Sequence, residues 1–264
     1  MSKCTENIRL ENEVYDFIDF VNDVGEESIT DYLVWQWRKL NKKFNYLSVD
    51  KHTRQFENKV SGADFELELW ILTKSNNLSF VFQAKKIIPE YNAYCSKLNY
   101  KNGTQRQLDV LINYAKSIKK LPFYLFYSPS DNKTKTKCPQ NNILNSALFI
   151  TDAYSVNNLT VRFKGKRLSK NRILEETNPF HCLFCCPLFD DVFTDYFTEY
   201  FPTLAENHSF DNTAIPNYVN AIANNELQDV AGLIEQNNLT VYRNIGVLDL
   251  RKEERPAQST VNIK

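Results

Sequence analysis

Residues 64–72 read Asp-Phe-Glu-Leu-Glu-Leu-Trp-Ile-Leu, alternating polar and apolar from Asp64 through Leu69. No other segment constrains the fold as tightly. Side chains alternate sides along a strand, so a period of two specifies a strand. Asp64, Glu66 and Glu68 then share one face, and Phe65, Leu67, Leu69 and Ile71 share the other. Residues 73–78, Thr-Lys-Ser-Asn-Asn-Leu, are turn-rich, and residues 79–87 return as a second strand. The pair predicts an antiparallel hairpin. Gln83 and Lys85 stand two apart on the return strand and point the same way. Asp64, Gln83 and Lys85 converge if the faces of the two strands match. The register stays open, because the loop length does.

Such a convergence has a chemical use. Phosphodiester hydrolysis needs a nucleophilic water and neutralisation of developing negative charge, and a hard divalent ion held by oxygen ligands provides both. Asp64 offers a carboxylate and Gln83 an amide oxygen. Lys85 would hold the attacking water or stabilise transition-state charge. The competing reading is the ordinary solvated face of a hairpin, which needs no function. Glu66 and Glu68 are expected at the surface.

Gly62-Ala63-Asp64-Phe65 followed by Phe82-Gln83-Ala84-Lys85 resembles the PD-(D/E)xK, restriction-endonuclease-like superfamily. The Gln-x-Lys form is similar to its Mrr-like branch and to nuclease domains of bacterial anti-phage systems. The resemblance covers about 27–128 of the chain. It implies an α/β fold: a restriction-endonuclease-like core with a central mixed sheet flanked by helices. It implies a Mg2+ or Mn2+ cofactor, DNA as substrate with RNA left open, and a role in restriction or antiviral defence. The superfamily's helical Glu carries over to Glu27, with Glu26 as its competitor, in Glu26-Glu27-Ser28-Ile29-Thr30-Asp31-Tyr32-Leu33. Glu57 is a further candidate carboxylate. Two departures stand out. Ala63 occupies the place of the motif's Pro, and Gln83 replaces its acidic residue. The Gln removes a negative charge, which is expected to weaken metal binding and favour Mn2+ over Mg2+.

Downstream, Thr104 is placed to cap a helix running to about Lys120, with Leu108, Leu111, Ile112, Ala115 and Ile118 at helical spacing. Leu121-Pro122 closes it, and residues 123–127 form a buried strand. Hairpin, helix, strand is the order the resemblance implies. Gln105 and Gln107, in the first turn of that helix, are either phosphate contacts or plain solvated polars. Upstream, helices are expected over 10–24 and 26–41, broken at Gly25. Residues 129–142 form a Lys- and Asn-rich loop, and 147–151 a further strand. An aromatic stripe within 187–201 fits a helix serving as core face or oligomer contact, and 215–237 reads as one or two helices. The expected division is a nuclease-like core over 1–172 and an α-rich C-terminal elaboration over 173–264, packed on the core.

The net charge is zero, but it is unevenly spread. Residues 85–172 hold 17 Lys/Arg against 4 Asp/Glu, whereas 173–264 hold 5 against 14. A basic middle third beside the Gln-x-Lys strand suits a polyanion, although a solvated basic face looks the same in sequence. With 6 glycines the chain has no nucleotide-binding loop. The polar N-terminus and the absence of a long apolar run predict a cytoplasmic protein without a membrane span, its thiols reduced. Cys182 and Cys185 form a Cys-x-x-Cys. A zinc site would need Cys138 together with His181 or Cys186, and buried thiols are the plainer account. His52 lies just upstream of Glu57 and would border the site. The expected function is metal-dependent DNA hydrolysis, held in check by a regulatory partner, homo-oligomer assembly or a signal. The alternatives are a nucleic-acid-binding module with a degenerate site, and a protein-interaction subunit acting through the aromatic, acidic C-terminal third.

Overall fold

A computed structural model describes residues 3–21, 23–44, 47–51, 65–87, 98, 100–102, 105–138, 143–164, 166–185, 192–210, 213–226, 232–233, 236 and 242–252. Asp64, Glu57, His52, Thr104 and Cys186 lie outside the described residues. The chain opens with two antiparallel helices, α1 (Lys3–Phe20) and α2 (Glu26–Phe44). The turn between them has its left-handed residue at Asp23, φ 57°, rather than at Gly25. Strands β1 (Leu47–Lys51), β2 (Phe65–Leu72) and β3 (Asn77–Lys86) follow, then a two-stranded ribbon of β4 (Lys101–Asn102) and β5 (Gln105–Arg106). Next come α3 (Gln107–Ser117), β6 (Leu121–Tyr127), β7 (Leu148–Asp152), α4 (Ala153–Arg162), α5 (Lys170–Leu174) and β8 (Asn178–Pro179). The C-terminal third adds α6 (Cys182–Cys185), α7 (Val192–Tyr200), α8 (Pro202–Asn207), α9 (Asn217–Ala223), β9 (Tyr242–Asp249) and a 3-10 turn over Leu250–Lys252.

The protein is α/β: a seven-stranded mixed sheet, in the order β1-β9-β2-β3-β6-β7-β8, is flanked by helices. The hairpin forms as its alternation requires, β2 antiparallel to β3 with Leu67 opposite Phe82 and Glu68 opposite Val81. Helix α3 then crosses over to β6, which runs parallel to β3. It starts at Gln107, not at Thr104, because Gln105 and Arg106 are drawn into pairing with Asn102 and Lys101. Pro122 lies inside β6 rather than between helix and strand.

Both faces of the sheet are covered. Leu67, Leu69, Ile71, Phe80, Phe82, Phe123 and Leu125 pack under α1, α2 and α7, through residues such as Val14, Trp37 and Phe197. Trp70, Val81, Tyr124, Phe126 and Val247 pack under α3, α4 and α9, through Leu108, Leu111, Val156 and Tyr218. The second cover buries Glu66 and Glu68, which corrects the expectation that they lie at the surface. A polar face on an antiparallel pair is solvated only when nothing lies over it.

The C-terminal third does more than elaborate. It supplies β8 at one edge and β9 between β1 and β2, so the sheet runs across the expected boundary at 172. Gly246 of β9 suits a close approach there: a Cβ would come within 3.2 Å of Leu69 Cδ1. Cys4 and Cys185 are joined in a disulfide, with Cα atoms 4.6 Å apart, because α1 packs on α6. That corrects the expectation of reduced thiols for this pair and removes Cys185 from any Cys-x-x-Cys zinc site. Cys138 and Cys182 are buried thiols. The same joint holds Glu11, whose carboxylate accepts the His181 backbone N–H at 2.6 Å and faces His181 Nδ1 at 2.9 Å. No helix among the described residues is long and apolar enough to cross a membrane.

Candidate functional site

The candidate site lies where β3 ends. Gln83 and Lys85 occupy the face of β3 that carries Val81, beneath the start of α3. Glu66 stands two residues from Glu68 on the matching face of β2, toward the same end of the hairpin as Gln83. Asp64 immediately precedes the first residue of β2 and lies outside the described residues, as does Glu57.

Three further elements reach this end. Helix α2 starts here, and its first residue, Glu26, meets Lys85: Glu26 Oε2 is 3.8 Å from Lys85 Nζ. At that separation the charges attract without a direct hydrogen bond. Glu26 Oε1 accepts the Lys86 backbone N–H at 2.7 Å, and Lys86 Nζ donates to the Val24 carbonyl at 2.8 Å. The start of α2 is thus pinned to the end of β3. A carboxylate also suits the positive end of a helix dipole. Glu26, not Glu27, is therefore the helical carboxylate brought to the lysine. Glu27 is one residue on, about 100° around the helix, and exposed.

Helix α3 also starts here. Its first residue, Gln107, donates from Nε2 to Gln83 Oε1 at 3.1 Å. Beside it, Arg106 makes a two-pronged contact with Asp109, at 2.6 and 2.5 Å, and the Asp109 hydrogen bond raises its already high pKa. Gln107 is one of the two glutamines singled out from sequence, but it orients Gln83 instead of standing free for a phosphate. The third element, Tyr100, was not singled out. Its ring centre lies 5.4 Å from Lys85 Nζ. Gln83 is 6% exposed, whereas the Lys85 and Glu26 side chains are 17% and 36% exposed, so the site opens on its lysine side.

The donors present are hard oxygens, the Glu26 carboxylate and the Gln83 amide, each already oriented by a hydrogen bond. That chemistry suits Mg2+ or Mn2+ rather than a thiophilic ion. Among the described residues no group of three or more His, Cys, Asp and Glu side chains is assembled to hold a metal. A full set would need Asp64 as well.

The basic middle third is only partly available for a ligand. Lys120 is buried against Glu68, Lys170 against Asp131, Lys137 faces Glu176 and Arg172 faces Glu175. Lys101, Lys116, Lys119, Lys133 and Lys135 are exposed, and so is a run of cations at and just after the end of α4: Arg162, Lys164, Lys166 and Arg167. Helices α3 and α4 pack together with Lys116, near the end of α3, over the Tyr154 ring at the start of α4. They are therefore antiparallel, and α4 ends toward the Gln107 side, the end of the sheet that holds Gln83 and Lys85.

A model of the family of unknown function DUF6615 matches residues 4–255, and the chain belongs to that family. No curated protein and no solved structure matches it.

Proposed function

We propose that this DUF6615 member is a metal-dependent nuclease that hydrolyses DNA phosphodiester bonds on a restriction-endonuclease-like core. The observation that carries the reading is the junction at the end of β3, where Gln83 and Lys85 share a face and α2 delivers Glu26 to Lys85 at 3.8 Å. The succession of hairpin, crossover helix and parallel strand through β2, β3, α3 and β6 supports it. So do the exposed cations after α4, on the same end of the sheet, since a polyanion needs such a surface.

Lys85 is the central group. Its Nζ stands at the opening, close enough to Glu26 for its charge to be balanced, yet not consumed by a hydrogen bond to it. It is placed to hold a water or to meet charge developing on a phosphoryl oxygen. Gln83, held by Gln107, presents an amide oxygen of fixed direction. Glu26, Gln83 and Asp64 are the residues that would hold Mg2+ or Mn2+. A bound ion would lower the pKa of water and neutralise charge on the phosphate. The resemblance to nucleases of anti-phage systems makes restriction or antiviral defence the fitting biological role.

The test is cleavage of supercoiled plasmid by purified wild type and Lys85→Ala in Mg2+, Mn2+ or EDTA. The expected result is nicking or linearisation by wild type with either ion, none in EDTA and none by Lys85→Ala. Equal cutting by both proteins would remove Lys85 from the chemistry. No cutting by wild type would leave only nucleic-acid binding or a protein-interaction role.

A further inference from the structure

Tyr100 has no role in the chemistry above, yet it is placed at its mouth. Among the described residues it is one of a handful of large apolar side chains left in solvent, 39% exposed. Most exposed aromatics need no explanation. This one lies beside the lysine on which the chemistry above rests. Its carbonyl accepts the backbone N–H of Gln107, the residue that orients Gln83, at 3.2 Å. The chain then enters the β4–β5 ribbon, whose far strand leads directly into α3. Tyr100 is therefore tied by backbone to the helix start that shapes the site. Its ring lies 5.4 Å from Lys85 Nζ, within cation–π range.

We infer that Tyr100 is a stacking platform for an unpaired nucleobase next to the scissile phosphate, and that the enzyme acts on single-stranded or locally unpaired DNA. This rests on the nuclease reading of the Lys85 site. An aromatic face beside a cation serves a strand whose bases are free to splay out. In a duplex the bases are already stacked on one another and offer no face to a side chain. The cation meets the phosphate while the ring meets the base attached to it. The ribbon and the cations after α4 would follow the backbone on either side.

The test is fluorescence anisotropy in EDTA, so that cleavage cannot intervene. The probe is a fluorescein-labelled deoxyoligonucleotide, alone or annealed to its complement, titrated with wild type, Tyr100→Ala, Tyr100→Phe and Tyr100→Trp. Thermal melts establish that each variant is folded. The expected result is tighter binding of the single strand by wild type. Loss of the ring should weaken that binding roughly 5- to 150-fold, the range for one stacked base. Phe and Trp should keep it, and duplex binding should change little. Unchanged single-strand affinity in folded Tyr100→Ala overturns the inference. Binding without cleavage once Mg2+ or Mn2+ is supplied would sink the nuclease reading while the platform stands. No binding of either probe by wild type would overturn the platform, and plasmid cleavage in Mg2+ or Mn2+ decides the nuclease reading separately.

Discussion

Two lysine–glutamate pairs belong to the same hairpin face and its surroundings, and they have opposite characters. Lys120 and Glu68 are in direct contact, their side chains 9% and 0% exposed. The Glu68 carboxylate also accepts from Trp70 Nε1 at 2.5 Å and from the Tyr218 hydroxyl at 2.7 Å, and Lys120 Nζ lies over the Trp70 and Tyr242 rings. Burial pushes the Tyr218 and Tyr242 hydroxyls far up, and the Glu68 charge adds to it. Both hydroxyls remain neutral: Tyr218 donates to Glu68, and Tyr242 accepts from Lys120 Nζ and Tyr114. Lys85 and Glu26 are separated by 3.8 Å at the open end of the same sheet. The first pair is shielded from water, with Glu68 Oε1 held by Lys120, Trp70 and Tyr218, so it lies out of a substrate's reach. The second keeps its charge near solvent with bonding capacity in reserve. The difference teaches that residue type does not mark a working site; unspent capacity at an opening does.

The largest effect expected from breaking this comparison is on stability. Lys120→Met or Glu68→Gln leaves a buried partner stranded, at a cost of about 3–5 kcal/mol. Thermal melting should register a fall on the order of 10 °C. A melting temperature unchanged from wild type would mean the Glu68 cage is not closed. Second comes the Cys4–Cys185 disulfide, which closes a long loop. Cys4→Ser should lower stability by about 2–4 kcal/mol, and a non-reducing peptide map of wild type should show the two cysteine peptides joined. Finding them separate would contradict the α1–α6 joint described above.

Third, Glu26→Gln and Lys85→Ala should each change stability by less than about 1 kcal/mol, because the pair is partly exposed and not in direct contact. Denaturant titration measures this, and a loss as large as that of the Lys120 variant would erase the contrast.

The smallest effect concerns His208, whose Nε2 lies 2.8 Å from the Tyr154 hydroxyl. Burial, with help from Lys116, lowers its pKa from the ordinary 6.5. The fold favours the neutral ring, so the unfolded chain takes up its proton first as pH falls. The stability this gives is complete above 6.5 and is lost as pH drops through the folded pKa. Melting curves from neutral to mildly acid pH should show a shallower decline for His208→Gln than for wild type. Parallel declines would mean the ring titrates alike in both states.

The hairpin was legible because alternation is a local signal, and it brought Gln83 and Lys85 to one face as expected. What escaped was non-local. Strand β9, Tyr-Arg-Asn-Ile-Gly-Val-Leu-Asp, lacks clean alternation and finds its parallel partner β2 far away in sequence. Tyr218, which covers Glu68, arrives from a helix some 150 residues downstream, so the burial of Glu68 had no trace near Glu68 itself. The choice between Glu26 and Glu27 turned on helical phase, about 100° per residue, which a pattern cannot fix at a helix's first turn. Tyr100 carried no motif at all; only its position over Lys85 marks it.

The most direct test of the contrast is one experiment with two variants: single-strand and plasmid cleavage by Lys85→Met and Lys120→Met, each paired with a melting curve in the same buffer. The account predicts that Lys85→Met melts like wild type and does not cut. Lys120→Met should melt much lower and, at a temperature where it is folded, still cut. Active Lys85→Met, or a folded Lys120→Met that is inactive, would contradict the assignment of the open pair to chemistry and the closed pair to the scaffold.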